Sequence, residues 1–101
     1  MKVDIQSRQV ELTQELKAHI QRKLNFALSR MDSYITAISV NLSVVNGPKD
    51  DLNKQCGIKI CIANMEDILI KDTQANLYFA IDRAAQRASQ ALNSKIGRQY
   101  R

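Results

Sequence analysis

Residues 38–70 read ISVNLSVVNGPKDDLNKQCGIKICIANMEDILI, and the period of their apolar side chains decides the fold. Ile38, Val40, Leu42 and Val44 alternate with Ser39, Asn41 and Ser43, the period of two that marks a half-buried strand. Cys56, Ile58, Ile60 and Ile62 repeat the pattern against Gln55, Lys59 and Cys61, and Ile68 with Ile70 begins a further strand. The segments between them carry turn chemistry. Asn46-Gly47 tolerates positive φ, Pro48 has no N–H to give a ladder, and Asn64 to Glu66 predicts a tight reversal. Three strands joined by short loops form an antiparallel meander with one apolar and one polar face.

Outward from this meander the period changes. Val3 and Ile5 alternate with Lys2, Asp4 and Gln6, predicting a short first strand. Thr13 is a good N-cap, and Leu16, Ile20, Leu24, Ala27, Leu28 and Met31 then recur at three- and four-residue steps. This predicts an amphipathic helix of about five turns. A second helix is expected from Asn76 to about Gly97. The order is β-α-β-β-β-α in a single domain spanning 1–101, with no linker or repeat. Two helices covering the apolar face of a four-stranded sheet give a two-layer α+β sandwich, with the helices roughly parallel.

No apolar run approaches the ~20 residues needed to cross a bilayer, and Met1-Lys2-Val3-Asp4 does not open a signal peptide, so a cytoplasmic location is expected. Cys56 and Cys61 stand on one predicted strand, pointing to opposite faces with Cα atoms roughly 16 Å apart. That separation excludes a bridge between them, and Cys56 is expected in the core with Cys61 a free thiol. With one histidine and no C-x-x-C there is no credible metal set. No phosphate loop, supported carboxylate pair or cofactor motif is present, and Cys61 and His19 fall on different elements. The expectation is a protein without enzymatic activity, cofactor or small-molecule substrate.

The net charge of +5 is unevenly placed. Residues 1–32 hold six basic and four acidic side chains, residues 33–81 four and five, and residues 82–101 five and one. Such asymmetry is the footprint expected of a nucleic-acid binder, although basic tails also occur without any such role. On a wheel of about 100° per residue, Ile81, Ala84, Ala85, Ala88, Leu92 and Ile96 of the last helix share one arc. Arg83, Arg87, Arg98 and Arg101 share another, well away from it, while Lys95 lies nearer the apolar arc and has to snorkel. As exposed charges, Arg83 and Arg87 are expected to add little to stability. On the first helix His19, Lys23, Phe26 and Arg30 form a second line, three basic positions with an aromatic among them, suited to phosphates and stacked bases. Taken singly, Phe26 is expected to pack under a loop or against the other helix, and His19 to be solvated.

The residues also resemble a known family. LYFAIDRAAQRASQAL (77–92) is similar to the last helix of the ribosome hibernation-promoting factor and ribosome-associated translation inhibitor family, also called the sigma-54 modulation protein family. VELTQELKAHIQRKL (10–24) resembles its first helix, and FALSRMDSYITAISVNLSVVNGPK (26–49) with NKQC (53–56) looks like its short form. The resemblance implies a fold like that of double-stranded-RNA-binding domains. It also implies a site on small-subunit rRNA near the decoding centre, where binding blocks messenger and transfer RNA sites under stress or in stationary phase. Lys23 and Arg87 match basic positions of the family, Arg83 has no equally regular counterpart, and Gln90 with Ser94 stand where the family often repeats positive charge. The chain ends where long-form members continue into a dimerising domain, so none is expected here. The RNA-binding set expected from pattern and resemblance together is Lys23, Arg30, Arg83, Arg87, Lys95, Arg98 and Arg101. The competing expectation is a protein-binding regulator acting through the polar sheet face or an edge strand.

Overall fold

Each apolar period of the sequence becomes an element in the computed structural model, which describes residues 2–47 and 52–99. The order is β1 (Val3–Arg8), α1 (Gln14–Leu28), a 3-10 segment (Ser29–Tyr34), β2 (Ile35–Asn46), β3 (Leu52–Ile62), β4 (Ile68–Gln74) and α2 (Leu77–Gln99). The strands lie in the order β1-β2-β3-β4. β2, β3 and β4 pair antiparallel, as the alternating pattern requires, whereas β1 pairs parallel with β2. A parallel neighbour needs a crossover, and α1 supplies it.

Register sorts the two faces into rows. Val3, Ile38, Ile60 and Ile68 are aligned partners across the sheet, as are Ile5, Val40, Ile58 and Ile70. A third inward row runs Ser7, Leu42, Cys56, Asp72 and so ends on a carboxylate. The outward rows are polar: Gln6, Asn41, Gly57 and Lys71 form one, Arg8, Ser43, Gln55 and Thr73 the next. Both helices pack on the inward face, where Leu16, Ile20, Leu24 and Leu28 of α1 and Ala80, Ile81, Ala84, Ala88 and Leu92 of α2 join the strand residues in one core. The burial leaves the outward face of the sheet uncovered by either helix.

The predicted caps form. Thr13 Oγ1 accepts from the Leu16 N–H at 3.1 Å, and Asn76 Oδ1 accepts from the Phe79 N–H at 3.0 Å. Asn64 takes φ of 63° in the reversal between β3 and β4, a conformation asparagine tolerates better than most residues. The end of the first helix differs from expectation. The first helix keeps α geometry only to Leu28, about four turns, before tightening to 3-10. The apolar spacing accounts for the change: Leu16, Ile20, Leu24 and Leu28 step by four, then Leu28, Met31 and Tyr34 step by three. A 3-10 turn holds three residues, so it keeps that second series on the core side.

Both cysteines are free, with Cys56 buried and Cys61 partly exposed on the outward face. Burial pushes the Cys56 thiol up from its usual value of 9.0 to about 12, and the Asp72 carboxylate reinforces the shift. Among the described residues no helix is long and apolar enough to cross a membrane, and no group of three or more His, Cys, Asp or Glu side chains is placed to hold a metal ion.

Candidate nucleic-acid interface

The helices run side by side in the same direction, because their contacts climb together along both sequences. His19 of α1 meets Tyr78 and Asp82 of α2, Lys23 meets Asp82, and Phe26 with Ala27 shares a groove with Gln86, Ser89 and Gln90. His19 Nε2 lies 2.7 Å from Asp82 Oδ1, and its ring stands edge-on to Tyr78 at a centroid distance of 4.8 Å. A carboxylate only accepts hydrogen bonds, so this pairing calls for the proton on Nε2. With its side chain 16% exposed, His19 is a seam residue between the helices rather than the solvated group its isolated position suggested.

The cations expected to bind RNA are distributed around this layer with different commitments. Lys23 sits beside the seam, its ammonium 3.8 Å from Asp82. Arg87 leans the other way, over the sheet edge, where Nη1 donates to Lys71 O at 2.6 Å and to Asp72 Oδ2 at 3.2 Å. Asp82 and Arg87 are five residues apart on α2, about 140° around its axis, so one flank faces α1 and the other faces β4. Lys95 snorkels as expected and ends at the β3–β4 turn, donating to Glu66 O at 2.6 Å, with Arg98 lining the same hollow. Arg83 is exposed and forms no ion pair among the described residues. Arg30 is exposed on the 3-10 segment, where three residues per turn shift it from the line drawn at 100°. Arg101 lies outside the described residues. The structure thus gathers Lys23 and Phe26 at the inter-helix groove and holds Arg87 on the far flank of α2.

Two further readings of single residues change. Phe26 is 91% exposed, so it packs neither under a loop nor against α2. Arg87 is half-exposed yet tied to Asp72, which is only 7% exposed, so its charge contributes to folding as well as to the surface. The inward position of Asp72, though not its pairing with Arg87, is legible in the sequence: extending the parity of Ile68 and Ile70 by two residues reaches it. Gln74 Nε2 donates to the other Asp72 oxygen at 2.7 Å, completing its satisfaction. Asp82 had no comparable signal, because its partners His19 and Lys23 lie on the other helix, about 60 residues away.

The electrostatics favour an anion on the helical layer. α1 carries Lys17, Arg22 and Lys23 against Glu15, and α2 carries Arg83, Arg87, Lys95 and Arg98 against Asp82. Asp82 is engaged by His19 and Lys23, leaving Arg83 and Arg98 as a stripe with no ion-pair partner among the described residues. On the opposite side of the molecule a shallow hollow of about 500 Å³ surrounds Gly57, with Gln6, Asn41, Gln55, Lys59 and Lys71 at its walls. Lys59 is paired there with Asp67 at 3.6 Å.

Comparison with known proteins identifies the family and the fold. Residues 3–99 match the sequence pattern described as Sigma 54 modulation protein / S30EA ribosomal protein. The fold is similar to the N-terminal domain of Protein Y from Thermus thermophilus, with a TM-score of 0.77 and 21% identity over 93% of this chain and 98% of that one. It is also similar to a ribosomal subunit interface protein from Coxiella burnetii, with a TM-score of 0.80 and 14% identity over 96% and 99% of the two chains. No match emerged from comparison of the sequence with curated proteins.

Proposed function

The chain belongs to the sigma 54 modulation protein / S30EA ribosomal protein family of ribosome-associated factors, and from that premise we propose that it is a hibernation factor that inhibits translation by occupying the small subunit. The helical layer binds small-subunit rRNA near the decoding centre, where the bound protein excludes messenger and transfer RNA during stress. Its location is the cytoplasm, where its target is. Binding requires no covalent chemistry: a rigid sandwich places cations against phosphates, and occupancy itself is the inhibition.

The observation that carries this reading is the placement of both helices on one face of the sheet, running together, with Lys23, Arg83 and Arg98 exposed on them, Arg30 on the 3-10 segment that follows α1, and Arg87 and Lys95 at the flank of α2. Arg101 joins the proposed set by sequence position. Phosphate contacts position a protein without reading sequence, so a dispersed array of exposed cations suits a fixed rRNA surface. The Arg87 guanidinium holds Asp72 and Lys71 through Nη1 alone among its nitrogens, and five N–H donors leave it able to meet a phosphate as well.

A second reading, a protein partner on the outward sheet face, is favoured by the hollow around Gly57. Salt separates the two. Binding to purified small subunits should weaken steeply and log-linearly with ionic strength if phosphates are contacted. A largely apolar protein contact has a shallow dependence. Sedimentation of stationary-phase lysate through a sucrose gradient, with the protein located by immunoblot, tests the functional reading directly. Co-migration with small subunits supports it, and residence at the top of the gradient refutes it.

A further inference from the structure

Phe26 is the most exposed of the large apolar side chains on the described surface. It stands at the rim of a groove of about 420 Å³ between the helices, with Ala27, Ala85 and Ser89 at its base. Small side chains there keep the groove open, and its volume falls within the ~300–1,000 Å³ typical of ligand clefts. Lys23 lines the α1 wall beside Phe26, and Gln86 with Gln90 lines the α2 wall. Neither glutamine makes a side-chain hydrogen bond within the protein among the described residues.

We propose that this groove is a base-binding site, in which Phe26 stacks on an unpaired RNA base while Gln86 and Gln90 meet the base edge and Lys23 holds the adjoining phosphate. The inference deepens the ribosomal reading and rests on it. Three features select a base over other occupants. The groove contains one cation and one carboxylate, Lys23 and Asp82, so it is not a pocket built for a phosphate alone. An apolar protein side chain would strip water from Gln86, Ser89 and Gln90 without replacing its hydrogen bonds, at a cost in free energy. A nucleobase offers a π face to the phenyl ring and a mixed donor and acceptor edge to amides, which carry both donors and acceptors themselves. Asp82, already engaged by His19 and Lys23, closes one end of the groove and keeps a phosphate from entering deeply.

The test compares Phe26→Ala, Phe26→Leu and Phe26→Trp for binding to purified small subunits across a salt series. Because Phe26 is 91% exposed, all three should unfold at nearly the wild-type temperature. Phe26→Ala should bind roughly 5- to 150-fold more weakly, the range produced by losing one stacked base, with an unchanged slope against log salt because no charge is removed. Phe26→Trp should bind at least as well as wild type, and Phe26→Leu should resemble the alanine variant because it lacks a π face. Wild-type affinity in Phe26→Leu together with loss in Phe26→Ala would mean an apolar protein contact and overturn the proposal. Wild-type affinity in Phe26→Ala would overturn it as well, while steep salt-dependent binding by wild type left the functional reading intact. Absence of binding by the wild-type protein would remove both.

Discussion

Replacing Arg87 should damage the fold, despite the exposure of its side chain. Arg87 Nη1 donates to Asp72 Oδ2 at 3.2 Å and to the Lys71 carbonyl at 2.6 Å, and Asp72 sits 7% exposed at the end of an inward row. In Arg87→Gln one oxygen of that buried carboxylate loses its charged partner, while the other keeps Gln74. Breaking a fully buried pair costs about 3–5 kcal/mol. Because the arginine end is 44% exposed, water screens it and the smaller cost of a charge-assisted hydrogen bond, about 1.5–3 kcal/mol, is the better guide. An expected loss of about 2 kcal/mol lowers the melting temperature of a domain this size by roughly 8–16 °C. Thermal unfolding followed by circular dichroism measures it, with Arg83→Gln as the control, expected within about 0.5 kcal/mol of wild type. Asp72→Asn should cost less than Arg87→Gln, since the freed guanidinium can turn to water. A double-mutant cycle between the two should show coupling of about 1 kcal/mol or more. Equal melting temperatures for Arg83→Gln and Arg87→Gln, or strict additivity in the cycle, would refute the reasoning.

Three further outcomes are expected. Arg83→Gln should weaken small-subunit binding and reduce the slope of log affinity against log salt by roughly one, and the Arg83/Arg87 double replacement by one to two; unchanged slopes would leave these arginines as a solvated face. A thiol reagent should modify Cys61 in the native protein while Cys56 reacts only on unfolding, and equal rates would put the strand phase wrong by one residue. Cys56 is held protonated in the fold up to about pH 12 but ionises near 9.0 when exposed, so the folded state binds the extra proton between those values. Its stabilising contribution is complete below pH 9 and is lost as pH rises toward 12, by up to about 1.4 kcal/mol per pH unit. The stability difference between wild type and Cys56→Ala, followed by urea unfolding, should therefore shrink above pH 9; a constant difference would count against burial of the neutral thiol.

Periodicity is a local property of a chain, and what depends on it was legible in the sequence. The two-residue alternation of Ile38–Val44 and Cys56–Ile62 assigned the inward face of the sheet, and the three- and four-residue steps from Leu16 to Leu28 assigned the buried side of α1. Thr13 and Asn76 marked the helix starts because a cap acts on a backbone N–H only three residues away. The α2 wheel likewise placed Arg83 outside the core. What the tertiary structure alone decided are the meetings of segments far apart in the chain: the parallel pairing of β1 with β2, the closure of His19 on Asp82, the tether of Arg87 to Asp72, and the groove that leaves Phe26 in water. A helical wheel gives the direction of a side chain relative to its own axis and says nothing of the neighbour in that direction. The neighbour is set by strand order, by the crossing of the connections and by the depth at which each helix beds on the sheet. Those are fixed by the packing of the whole core at once, so a charge that is exposed on its own helix becomes the partner of a buried carboxylate only when β4 is laid beside it.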